Sequence, residues 1–303
     1  MPHAAPQVQA ISTSRDTVGE SPVWSVAEQA LYWVDIEGRC IHRLDWATRA
    51  QQTWVLDERV GCIALSTRST LISAMESGIF EVTLQAEPNA TVTRLAAVEH
   101  PQPGMRFNDG RCDRQGRFWV STMVRDMALA SAAGAIYCLD ERGLSEPLLR
   151  GYVTPNGMAF SADGGTAYVS DSHPSRQLIW KHTFDAATGT WGPQINWVDM
   201  KPLPGRPDGA ALDAEGCYWI CGNDAGLVHR FSPQGELLQS IAVPVSKPAM
   251  CAFGGPELRH LFVTSIQPAS PAAGFDAALD GVVLVLEPGV QGLPEPLFSR
   301  FPS

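Results

Sequence analysis

The stretch Asp208-Gly-Ala-Ala-Leu-Asp-Ala-Glu-Gly-Cys-Tyr-Trp219 reads as a short strand, a turn and the opening of a second strand. Gly216 supplies the positive φ of a tight turn and Asp213 caps it. Asn108-Asp-Gly-Arg-Cys-Asp-Arg-Gln-Gly-Arg-Phe-Trp119 follows the same plan, and Glu20-Ser-Pro-Val-Trp-Ser25 and Asn156-Gly-Met-Ala-Phe-Ser161 share its first half. Each segment opens on an oxygen-bearing side chain and places a turn residue five positions later, at Ser25, Asp113, Ser161 and Asp213.

Working outward, the aromatic or apolar pairs Tyr32-Trp33, Leu71-Ile72, Phe118-Trp119, Ala167-Tyr168, Tyr218-Trp219 and Leu261-Phe262 recur at about 39 to 51 residues, near the length of a four-stranded propeller blade. A further apolar strand follows each pair, from Ile41-His-Arg-Leu to Val282-Val-Leu-Val. Gly 27 and Pro 23 suit frequent turns, and no long helical period is present. The expectation is an all-β, six-bladed β-propeller occupying residues 1–303 as a single domain, with residues 1–18, around Val8 to Thr13, closing the last blade. A β-sandwich is the rival, but it has no reason to repeat one motif six times.

A net charge of −10 and the lack of any basic run argue against a nucleic-acid partner. No apolar run reaches the length of a membrane helix, and Met-Pro-His-Ala-Ala-Pro-Gln has no secretory pattern. The seven cysteines, odd in number and scattered, read as reduced thiols; Cys217 and Cys221, four apart, read as buried thiols rather than a metal pair. The expected location is cytoplasmic. Nothing in the chain speaks to its oligomeric state.

In a propeller the four opening motifs begin the innermost strands, so Glu20, Asn108, Asn156 and Asp208 should ring one mouth of the central channel. The returning strands bring Asp35, Ser121, Thr122, Asp171, Asn223 and Asp224 to the same face. Glu20, Asn156 and Asp208 offer oxygen donors only, which suits one hard divalent cation: calcium best, with zinc, manganese or magnesium as alternatives. No histidine falls in this register, which disfavours a tetrahedral zinc site. Asn156-Gly157 and Asp208-Gly209 are also ordinary turn formers, but independent turns need not share a register.

Gly19-Glu-Ser-Pro-Val-Trp24, Tyr32-Trp-Val-Asp-Ile36, Arg106-Phe-Asn-Asp-Gly110, Ser121-Thr-Met123, Pro155-Asn-Gly157, Arg206-Pro-Asp-Gly209 and Cys251-Ala-Phe-Gly-Gly255 resemble, in order and over nearly the whole chain, the regucalcin/gluconolactonase (senescence marker protein) family. The resemblance implies a six-bladed propeller with one divalent metal in the channel mouth, and hydrolysis of sugar-acid lactones such as glucono-, galactono- or arabinonolactone. It carries the metal ligands onto Glu20, Asn156 and Asp208, and the substrate contacts onto Arg106 and Asn108. Where relatives often have Glu shortly after the Thr-Met pair, this chain has Val124-Arg125-Asp126, which makes Asp126 the substrate-contact candidate at the rim. Asp208 is the candidate general base for the attacking water. Two other readings remain at this stage: a non-catalytic calcium-binding or ligand-sensing propeller, and a hydrolase of phosphotriesters or aryl esters.

Overall fold

Strand Ala30–Asp35 is buried along its whole length. Its alternating side chains serve two different cores: Tyr32 and Val34 pack with Val60 and Val82, while Leu31 and Trp33 pack with Phe262 and Val285. Such a strand lies inside a stack of sheets, where each face of the pleat meets a neighbour. The same division recurs at Phe118 and Trp119, and at Tyr218 and Trp219.

The structure, a computed structural model, describes residues 6–67 and 69–299. It contains six antiparallel sheets, numbered here as blades 1 to 6 in chain order, and no α-helix among the described residues. The innermost strands are Gly19–Ser25, Val60–Thr67, Met105–Cys112, Pro155–Phe160, Arg206–Leu212 and Pro248–Gly254. Each touches the next, and the sixth touches the first, which closes a ring: a six-bladed β-propeller, as the repeat predicts. Six apolar clusters fill the six spaces between neighbouring blades.

The ring is joined by strand exchange. The outer strand of blade 6 is the N-terminal Gln9–Ala10, which pairs with Leu284–Leu286 through Gln9↔Val285 and Ala10↔Leu284. Met1–Ala5 lie outside the described residues. At the opposite end, the C-terminal segment runs across the turn face of the disc. Gly292 donates to the Leu258 carbonyl, Phe298 to that of Leu65, and Glu295 forms an ion pair with Arg111 at 2.7 Å. Pro296 and Glu295 line, with Arg111 and Met250, what is left of the channel there, about 20 Å³. The channel is therefore plugged at this end, while Glu20, towards the other, is partly exposed.

The turn aspartates hold the aromatic pairs. Asp113 accepts from the turn amides of Gln115 and Arg117, from the Arg117 guanidinium at 2.6 Å and from Trp119 Nε1 at 2.9 Å. Asp213 repeats this with the amides of Glu215 and Cys217, with Trp219 Nε1 and with Arg230.

Candidate metal and substrate site

Four inner strands reach the open mouth in one register. Gly19, Phe107, Pro155 and Pro207 pair with Asp35, Thr122, Asp171 and Gly222 of their neighbouring strands. The next residues are Glu20, Asn108, Asn156 and Asp208. Close by, every ladder slips, between Glu20 and Val23, Phe107 and Gly110, Asn156 and Ala159, and Pro207 and Ala210. A bulge inserts an unpaired residue and re-aims the side chains beside it. Asn156-Gly157 and Asp208-Gly209 thus lie within strands, not in hairpin turns. Gly157 adopts φ 63°, and a Cβ there would collide with the Tyr218 hydroxyl, which donates to the Gly157 carbonyl.

The polar side chains join in a directed chain. Arg106 Nη1 donates to Asn108 Oδ1 at 2.7 Å and to the Phe107 carbonyl at 2.8 Å. Asn108 Nδ2 donates to Asn156 Oδ1 and to the Pro155 carbonyl, both at 2.9 Å. Asn156 Nδ2 donates to Ser172 Oγ at 2.6 Å, and Ser172 Oγ donates to the Pro207 carbonyl at 2.5 Å. Asp208 Oδ2 accepts from Asn223 Nδ2 at 2.6 Å. Glu20 accepts, among the described residues, only the Ser21 amide at 3.3 Å.

Asn108, Asn156 and Asp208 are buried and Glu20 is partly exposed. Burial, followed by the charges of Asp208 and Asp109, pushes the Glu20 carboxyl well above the ordinary carboxylate range. Burial likewise raises Asp208 to about 7, against the pull of Arg206 and Asn223. Neither carboxylate has an ion-pair partner among the described residues. Two uncompensated carboxylates beside an amide oxygen are costly to ionise together, and a hard dication relieves that cost. The donor set fits such an ion: Glu20, Asn156 Oδ1 and the second oxygen of Asp208.

Other expectations resolve differently. Asp126 is exposed and caps the short turn Met127–Leu129 through the Ala128 amide. With Glu37, Arg125 and Leu129 it lines a rim cavity of about 400 Å³. Asp35 and Asp171 accept the amides of Thr17 and Val18, and of Val153 and Thr154, so they anchor the entries to inner strands. Asp109 receives the Met158 amide and ties blade 3 to blade 4. Asn223 alone of that group touches a candidate ligand. Ser172 was not legible: it follows Asp171 at a place where blade 1 has Ile36, so no repeat marks it.

The only close grouping of three His, Cys, Asp or Glu side chains among the described residues is Asp213, Glu215 and Cys217, on the plugged face. Asp213 already receives two amides, an indole and Arg230, and Arg230 also pairs with Glu215 at 2.6 Å, so this is an ion-pair network. All seven cysteines are free thiols, and among the described residues no helix is long and apolar enough to cross a membrane.

Residues 18–267 match the family model described as SMP-30/Gluconolactonase/LRE-like region. A 6-deoxy-6-sulfogluconolactonase of Pseudomonas putida is 36% identical over 285 residues, covering 93% of this chain and 95% of that protein. A pentonolactonase of Haloferax volcanii is 30% identical, covering 82% and 81%. The solved structure of a calcium-binding protein, regucalcin, from Agrobacterium tumefaciens matches with a TM-score of 0.86 at 28% identity, covering 98% of this chain and 97% of that one.

Proposed function

This chain belongs to the SMP-30/gluconolactonase/LRE-like family, and from that premise we propose that it is a lactonase, opening a sugar-acid lactone to its aldonic acid with the help of one divalent cation, calcium foremost. The supporting observation is that two carboxylates without ion-pair partners, Glu20 and Asp208, accompany the oxygen of Asn156 at the one open mouth of the channel. Named lactonases at 30% and 36% identity over most of the chain support the reaction class.

A lactone is a cyclic ester, so its hydrolysis needs an attacking water, a polarised carbonyl and a home for the negative charge that develops on oxygen. Bound by Glu20, Asn156 and Asp208, a dication supplies Lewis-acid polarisation of the carbonyl. Asp208 is also the proposed general base for the attacking water, held in place by the Asn223 amide at one of its oxygens. Arg106 spends Nη1 on the protein but keeps a buried Nε without a partner, a donor free for a ring or hydroxyl oxygen of the substrate. Asn108 serves substrate binding by fixing that guanidinium, with one oxygen lone pair to spare. Asp126 meets the hydroxyls of the substrate's far end from the rim.

A pH-indicator assay over a panel of γ- and δ-aldonolactones, run with chelator and after re-addition of calcium, zinc, manganese or magnesium, tests the reading. Turnover of at least one lactone, lost on chelation and absent in Asp208→Ala, is expected. Hydrolysis at the untreated wild-type rate by both the chelated protein and Asp208→Ala would refute it.

A further inference from the structure

We infer that Ser172, a residue outside every repeat motif, is a positioning residue that decides which end of the Asn156 amide faces the cation site. The inference rests on the metal-dependent reading above. An asparagine side chain is nearly symmetric in shape, yet only its oxygen can bind a cation; turned over, it offers an N–H₂ group that repels one. Something must therefore set the orientation, and two chains of hydrogen bonds do so from opposite sides.

On one side, the Pro207 carbonyl can only accept, so the single Ser172 hydroxyl proton is committed to it at 2.5 Å. The Ser172 oxygen then faces Asn156 as an acceptor, and only Nδ2 can answer, at 2.6 Å. On the other side, the Arg106 guanidinium can only donate, so Asn108 must turn Oδ1 towards it. That leaves Asn108 Nδ2 to meet Asn156, where only Oδ1 can answer. Both ends demand the same orientation.

Ser172 is itself held fast. It is buried, its amide donates to the Thr154 carbonyl at 2.9 Å, and its carbonyl accepts from Arg206 Nη1 at 3.0 Å. Because Pro207 immediately precedes Asp208, one hydroxyl links the Asn156 ligand of blade 4 to the strand that carries the Asp208 ligand of blade 5. Partners that orient a metal ligand are commonly worth about 10- to 100-fold in affinity or activity.

The test is a double-mutant cycle read by calorimetric titration of calcium chloride and manganese chloride, with far-UV circular dichroism and melting temperature recorded for each protein. Ser172→Ala is expected to weaken cation binding about 10- to 100-fold in the otherwise native chain. In the Asn156→Asp background, the same change is expected to cost less than about threefold, because a carboxylate presents oxygen either way up. Should the alanine variant not fold, Ser172→Cys, which keeps the volume and weakens the hydrogen bond, carries the same comparison. An equal loss in both backgrounds would make Ser172 merely structural and overturn the inference while leaving the metal reading intact. No cation binding by the native chain would overturn both.

Discussion

In the proposed site a proton and a cation compete for the Asp208 carboxylate, which burial raises to about 7 in the absence of a metal. A carboxyl with a folded value above its unfolded one favours folding fully below the ordinary carboxylate range. That contribution is lost as pH rises through about 7. The metal-stripped protein should therefore lose melting temperature, relative to the calcium-loaded protein, between about pH 5 and about pH 8, with calcium affinity rising over the same interval. Calorimetric melts with calcium and with chelator across that range provide the check; a gap that does not change with pH would show that Asp208 is not part of the cation site. The positioning of the base gives a second prediction at this scale. Asn223→Ala frees Asp208 Oδ2 and should lower kcat by about tenfold or more with a smaller change in KM, measured on whichever aldonolactone turns over best. A change in KM alone would move Asn223 from the base to the substrate.

The element that makes the site is the bulged inner strand, and its signature was half visible in the sequence. Oxygen-bearing residues at Glu20, Asn108, Asn156 and Asp208 share a register because the blades repeat, so their convergence could be read from spacing. The bulge itself could not, since Asn-Gly and Asp-Gly write a bulge and a hairpin turn in the same letters. Nor could Ser172 or the capping role of Asp126, because those depend on contacts between blades and on a loop, neither of which repeats. Gly157 shows what the bulge costs to alter. Gly157→Ala must hold φ 63° against the side chain and push its Cβ into the Tyr218 hydroxyl, so a loss of about 2 kcal/mol or more is expected in urea denaturation. In the Tyr218→Phe background the closest clash is gone, while the backbone strain and the contacts with Ser170 Oγ at 2.7 Å and the Asp208 carbonyl at 3.1 Å remain, so the same change should cost less. Equal costs in the two backgrounds would show that the Tyr218 hydroxyl carries none of the penalty.

Closing a ring of six sheets leaves two ends to secure, and the molecule secures them differently. The repeat announced the first: a last blade short of a strand, supplied by Gln9–Ala10 beside Leu284–Leu286. The second carries no repeat signal, because the tail from Gly289 to Ser299 crosses the plugged face with no strand assigned and is held by single contacts. Its strongest tie is electrostatic. Arg111, buried in the inner strand of blade 3, is neutralised by Glu295 and also donates to the Ala210 carbonyl at 2.7 Å in blade 5, so one guanidinium joins the tail to two blades across the channel. Glu295→Ala leaves that cation buried without its counter-charge, which should destabilise the fold by about 3 kcal/mol in urea denaturation. Removing both partners, in Arg111→Met with Glu295→Ala, should destabilise it less than Glu295→Ala alone, because the buried cation that lost its counter-charge is then gone as well. The open mouth lies at the other end of the same strands, so calcium affinity should stay within about twofold in both variants; a larger loss would mean that the tail, by bracing blades 3 and 5, also sets the spacing between Asn108 and Asp208.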